Sequence, residues 1–204
     1  MSNFLSSDAN DIGTMPSLYC PTSSSNGTVK SCVFDNSTLA TMDSGCAKIR
    51  GDVLITANDE EHTYKLENVT DILGSLTIDG TNLTNIDFLD SLENIIALKE
   101  NQSAILIQFN DQLFNITFPS LKRAIAKPER SIVFQNNSEE LLMDPSVCFG
   151  IRNVLNTSSV FIPTIDGQDC ETIEKEYVVR DKSSNWDKIY MSFICVLIYL
   201  SVML

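Results

Sequence analysis

The chain has 204 residues, enough for one continuous core with tails, and its 14 Lys and Arg against 27 Asp and Glu leave a net charge of −13. The acidic residues are scattered and no basic stripe forms, so nucleic acid is excluded as a partner, because phosphate neutralisation needs clustered cations. Catalysis has little to stand on: the one histidine, His62, lies in a polar loop beside Glu60 and Glu61, and no nucleophile elbow, phosphate loop or dinucleotide fingerprint occurs. The chain is read as no enzyme, with no cofactor and no metal.

Residues 1–31 form a polar N-terminal segment. Met1–Cys20 has no apolar run long enough for a signal peptide. Sequons and cysteines both speak for the secretory route, so the expectation is an incomplete amino terminus.

From Cys46 one short sentence is repeated four times: Cys46-Ala-Lys-Ile49-Arg-Gly51, Val69-Thr-Asp-Ile72-Leu-Gly74, Leu92-Glu-Asn-Ile95-Ile-Ala97 and Leu121-Lys-Arg-Ala124-Ile-Ala126. The starts lie 23, 23 and 29 residues apart, the last spacing lengthened by the insertion Leu98–Ser103, and a second insertion, Lys127–Arg130, follows the fourth copy. Positions one and four are apolar or small. The small sixth position suits a tight corner, where a bulky side chain collides with the next repeat. Each copy leads into a strand-like run: Asp52–Thr56, Ser75–Asp79, Ala104–Gln108 and Ser131–Gln135. Within these runs Val53/Ile55, Leu76/Ile78, Ile105/Ile107 and Ile132/Phe134 alternate with other residues, the period-two pattern of strands with one buried face. A period of 20 to 30 residues marks units that bury their apolar side by stacking. The fold expected is mainly β, a right-handed β-solenoid.

The third strand position, Leu54, Thr77, Leu106 and Val133, alternates with the buried ones and is expected to form an outward ladder. With three of four members apolar, it is the candidate ligand-binding row. Arg50-Gly51-Asp52 spells an integrin-type triplet, but it sits at a corner entering a strand and reads as structural. Asp79, Asn110, Asn136 and Asn137 follow the strands and are read as corner caps that bond backbone amides, rather than metal ligands.

Asn-x-Ser/Thr triplets occur at Asn26, Asn36, Asn68, Asn82, Asn101, Asn115, Asn136 and Asn156. The content of Asn, Ser and Thr predicts about three by chance, so eight favour a glycosylated, secreted surface. Cys20, Cys32, Cys46, Cys148 and Cys170 flank the repeats and leave their interior bare, where staples would close the open ends. No Cys-x-x-Cys or Cys-x-x-His spacing supports zinc. After a polar linker, 171–188, the sixteen residues Ile189–Leu204 carry no charge. At 1.5 Å per residue they span about 24 Å, short of a bilayer core, and resemble the tail of a glycolipid-anchor signal with attachment at Ser183, Ser184 or Asn185. A short membrane span and a buried terminal helix are the other readings. Localisation is expected at the extracellular face of the cell membrane.

The repeats resemble the receptor L domain, the ligand-binding module of insulin and epidermal growth factor receptors, over roughly Cys32 to Cys170. Cys46-x-x-Ile-x-Gly-x-Val-x-Ile, Leu66-Glu-Asn-Val-Thr-Asp-Ile-x-Gly-x-Leu-x-Ile, Phe88-Leu-x-x-Leu-x-x-Ile, Phe118-x-x-Leu and Cys148 carry the likeness. The spacing is most similar to stand-alone L-domain proteins of nematodes. Fungal cell-wall proteins with a glycolipid anchor have similar repeats. The resemblance implies a leucine-rich-repeat-like fold over 32–170, disulfides Cys32–Cys46 and Cys148–Cys170, and a peptide or protein ligand on a sheet face. One domain without a kinase implies a decoy or co-receptor; the alternative is a structural cell-surface or cell-wall glycoprotein.

Overall fold

The computed structural model describes residues 29–34, 38–127, 131–157 and 162–180. They are mainly β. The strands are β1 (Ser31–Val33), β2 (Lys48–Arg50), β3 (Val53–Ile55), β4 (Asp71–Leu73), β5 (Leu76–Asp79), β6 (Asn94–Glu100), β7 (Ile105–Gln108), β8 (Arg123–Lys127), β9 (Ile132–Gln135) and β10 (Thr164–Ile165). Two five-stranded parallel sheets result, β1–β2–β4–β6–β8 and β10–β9–β7–β5–β3. From β2 to β9 the chain alternates between them, giving one strand to each sheet per repeat.

Register follows the apolar pattern. Cys32, Ile49, Ile72, Ile95 and Ala124 pair in one column. Val53–Leu76–Ile105–Ile132 and Ile55–Ile78–Ile107–Phe134 form two columns in the other sheet. All but Ala124, which is half-buried, lie in the core. Burying each Ile or Leu contributes about 1.5–3 kcal/mol over leaving it exposed.

The first two corners need glycine. Gly51 has φ +121°, and a Cβ there would stand 2.0 Å from the Phe34 carbonyl oxygen; at Gly74 the Gly51 oxygen would be 2.1 Å away. The other two small positions are not corners. Ala97 and Ala126 lie inside β6 and β8, which run on before turning. The extra residues of the two insertions let these strands lengthen, with a register shift between Ile96 and Glu100.

Each end of the core is closed differently. At the first, the disulfide Cys32–Cys46 (Cα–Cα 5.8 Å) flanks a loop that buries Leu39 and Met42. The 3₁₀ segment Ala57–Leu66 holds that loop. Buried Lys65 donates to the carbonyls of Leu39, Ala40 and Met42, each at 2.8 Å, while Asp59 accepts from the Leu39 amide at 3.0 Å. A buried ammonium is tolerated there because its three donors are all used.

At the other end stand α1 (Glu139–Met143), capped by Ser138, and α2 (Pro145–Val154), capped by Asp144 with Pro145 at its first position. A third helix, α3, covers residues 170–180, and the Asp169 side chain accepts from the Thr172 amide at its start. Cys148–Cys170 (Cα–Cα 5.5 Å) ties α2 to α3. The repeat pattern gave no sign of these helices, and part of the stretch read as a polar linker is α3, with Ile173 in the core. Both disulfides join the pairs that the resemblance implied. Cys20 lies outside the described residues.

After β7 and again after β9 the chain turns on a buried asparagine. The Asn110 side chain accepts from the Thr81 amide (2.9 Å) and hydroxyl (2.7 Å) and donates to the Gln108 carbonyl (2.7 Å) and Asn137 Oδ1 (2.9 Å). Asn137 in turn donates to the Ile107 carbonyl. Asn110 and Asn137 thus cap corners of neighbouring repeats. Asn110→Ala leaves the buried Thr81 amide without its acceptor and takes from Asn137 Oδ1 one of its two donors, the Asn110 backbone amide remaining. A loss of about 3 kcal/mol is expected in urea unfolding, against under about 0.5 kcal/mol for the exposed Asp111→Ala.

Candidate functional site

The ladder expected on the second sheet exists as a register row, Leu54–Thr77–Leu106–Val133, continued by Thr164. Its exposure is uneven. Leu54 is 47% exposed, Thr77 and Leu106 are half-buried, and Val133 is 7% exposed. Val133 is therefore a correction: β9 is an interior strand with β10 beside it, and the row is buried at Val133 and Thr164. The outward part of this row is short.

The outer face of β1–β2–β4–β6–β8 is broader. One row across it is Val33, Arg50, Leu73, Ile96 and Ile125. Val33 is 69%, Leu73 42% and Ile125 49% exposed, and Ile96 is half-buried. The neighbouring row is polar, Ser31, Lys48, Asp71, Asn94 and Arg123. Asp71 holds Lys48 at 3.3 Å and accepts from Asn94 at 2.9 Å, which fixes the long side chains beside the apolar strip. Where the apolar row meets the corner, a groove of about 490 Å³ is lined by Val33, Phe34, Arg50, Leu73, Leu98 and Lys99 among others. This row was missed in the sequence. Its signal was the fifth position of the repeated sentence, Arg50, Leu73, Ile96 and Ile125, which is apolar in three copies of four.

Asp52 anchors the rim of the groove. Its carboxylate accepts from the Ser75 amide (2.9 Å), the Ser75 hydroxyl (3.1 Å) and Lys99 Nζ (2.5 Å). Partial burial pushes the carboxyl pKa up, but hydrogen bonds from Lys99, the Ser75 amide, Gln102 and the Ser75 hydroxyl outweigh it and bring it to about 2. The triplet Arg50-Gly51-Asp52 is accordingly bent through a corner, its carboxylate committed to the next repeat.

The remaining candidates do not converge. His62 is half-exposed, 3.4 Å from a solvent-facing Glu61, whereas Glu60 turns away to accept from the Asn82 amide at 2.6 Å. Among the described residues, no group of three or more His, Cys, Asp or Glu is gathered closely enough to hold a metal ion. Asp79 is half-buried; Asn136 is exposed, its amide donating to Asp166. Asn68, Asn82, Asn101, Asn115, Asn136 and Asn156 are all exposed and none lies within a strand. Asn26, Asn36, Ser183, Ser184, Asn185 and Ile189–Leu204 fall outside the described residues. Among those described, no helix is long and apolar enough to cross a membrane.

A family model, the receptor L domain, matches residues 45–152, just over half of the chain. Neither a curated protein nor a solved structure matches it.

Two measurements probe this geometry. Because the Asp52 pKa is depressed, its contribution to stability is complete above the ordinary value near 3.8 and is lost as pH falls toward 2. Asp52→Asn should therefore cost about 1 kcal/mol at pH 6, after allowance for solvent screening. That difference from the unaltered chain should vanish by about pH 2 in urea titrations across this range. For the two rows, Leu54→Asp and Leu73→Asp should each cost under about 1 kcal/mol, since they remove no core packing. Val133→Asp should cost about 3 kcal/mol or more by burying a carboxylate. Secretion yield and unfolding midpoints report all three.

Proposed function

Since the chain belongs to the receptor L-domain family, we propose that it is a non-catalytic binding module that holds a peptide or protein ligand outside the cell. The observation that carries this reading is the outward apolar row Leu73–Ile96–Ile125, with Val33 beyond Arg50, on the five-stranded sheet β1–β2–β4–β6–β8. Scattered exposed apolar residues need no explanation, but a contiguous strip flanked by a fixed polar row suits a partner. Leu54, Thr77 and Leu106 offer a second and narrower patch on the opposite sheet.

In this reading the two sheets are the sides of a right-handed solenoid, the hand that parallel crossovers favour. The exposed sequon asparagines carry glycans on loops, leaving both sheet faces open. Ile189–Leu204 attaches the molecule to the membrane, exchanged for a glycolipid at Ser183, Ser184 or Asn185 or kept as a short span. The module displays or sequesters its ligand, as a decoy or a co-receptor does. The competing reading, a structural surface or wall glycoprotein, has no soluble ligand.

The readings separate in one binding experiment. The secreted protein is titrated with a peptide fraction from extracellular material, and bound peptides are quantified by mass spectrometry. Saturable binding is expected, weakened by about 1 kcal/mol or more for each of Leu73→Asp and Ile125→Asp and unchanged by Leu54→Asp. Equal retention by the two face variants removes the site. Absence of saturable binding leaves the structural glycoprotein.

A further inference from the structure

We propose that the ligand segment held on this face is acidic, with apolar residues around a carboxylate that pairs with Arg50. The inference rests on the reading of β1–β2–β4–β6–β8 as the binding face and adds the chemistry of what it binds.

The first observation is the sign of the face. The chain as a whole carries −13. The five strands of this sheet nevertheless contain Lys48, Arg50, Lys99, Arg123 and Lys127 against Asp71 and Glu100, and with Asp52, which lines the groove and pairs with Lys99, the face keeps a net of two positive charges. The other sheet contributes one charged residue from its strands, Asp79. A cationic surface attracts anionic partners.

The second observation is Arg50 itself. Lys48 is paired with Asp71 and Lys99 with Asp52, so these charges are answered within the molecule. Arg50 is exposed and makes no ion pair among the described residues, although it stands in the apolar row between Val33 and Leu73. It also lines the groove with Leu98 and Phe34. A partner covering this row would take the guanidinium out of water, and an unanswered buried charge is costly. A ligand carboxylate removes that cost and matches the planar fork of the guanidinium in two hydrogen bonds. Apolar neighbours on both sides favour a polypeptide over a sulfated polysaccharide, which would need a cluster of unanswered cations.

The test is selection without a presumed ligand. The intact chain, displayed by a secretory host, is panned against a library of short random peptides, and heparin is titrated in parallel. Enriched peptides should be acidic, with Asp or Glu next to apolar residues, and their binding should weaken with salt. Arg50→Gln should lower the affinity of an enriched peptide about tenfold, Arg50→Lys by less, and Arg50→Glu should turn selection toward basic peptides. Secretion yield and intact disulfides show that each variant folds. Enriched peptides that are neutral or basic overturn the acidic-ligand inference, while the face itself stands if Leu73→Asp still abolishes their binding. Peptides whose binding ignores Leu73→Asp remove face and inference together. Binding of heparin with no peptide enriched overturns the inference in favour of an anionic polysaccharide.

Discussion

The molecule depends on parallel, in-register pairing of equivalent positions from successive repeats. Once Ile49 lies beside Ile72 and Ile72 beside Ile95, every other residue of each strand is assigned a side. The inner columns become the core; the outer ones become rows of like side chains. The apolar strip on the surface and the apolar columns inside thus share one cause, and a one-residue slip would exchange them. The glycine corners serve the same register. At Gly51 and Gly74 the backbone of one repeat passes too close to its neighbour for a β-carbon, so layers keep their spacing where the chain changes sheet.

Much of this was legible before any coordinates. The repeated sentence gave the strands, the second and fourth strand positions gave the core, and the bare interior between cysteines placed the staples at the ends. The failures have physical reasons. Val133 carries the same pattern as Leu54, but alternation tells only which way a side chain points within its sheet. It does not tell that β10 will pair beyond β9. Ala97 and Ala126 resemble corner residues because alanine is small, yet small residues also sit comfortably inside a strand that has spare length to turn later.

The helices were hidden for another reason. Their start signals are local and were present: Ser138 before Glu139, Asp144 before Pro145, and Asp169 before Cys170. They sit in a polar background where only a few side chains, such as Leu141, Ile151 and Ile173, reach the core. An amphipathic pattern so thin is easily taken for linker. The more exposed face was passed over because its apolar residues lie within the motif that defines the repeat. Only positions one, four and six of that motif carry an expected role, so the fifth was given no side.

Unlike material closes the two ends: at one, a cysteine-flanked loop whose carbonyls are gathered by Lys65; at the other, three helices and a second disulfide. Repeat proteins lengthen by duplicating a unit, and here that growth is confined to the interior. A copied repeat placed between β5 and β6 would find strands of its own kind on both sides. At the first end it would displace Leu39 and Met42 and leave an ammonium in the core with nothing to bind. The length of the array is therefore fixed by its ends, and variation in this architecture falls to the middle repeats and to the loops inserted between them.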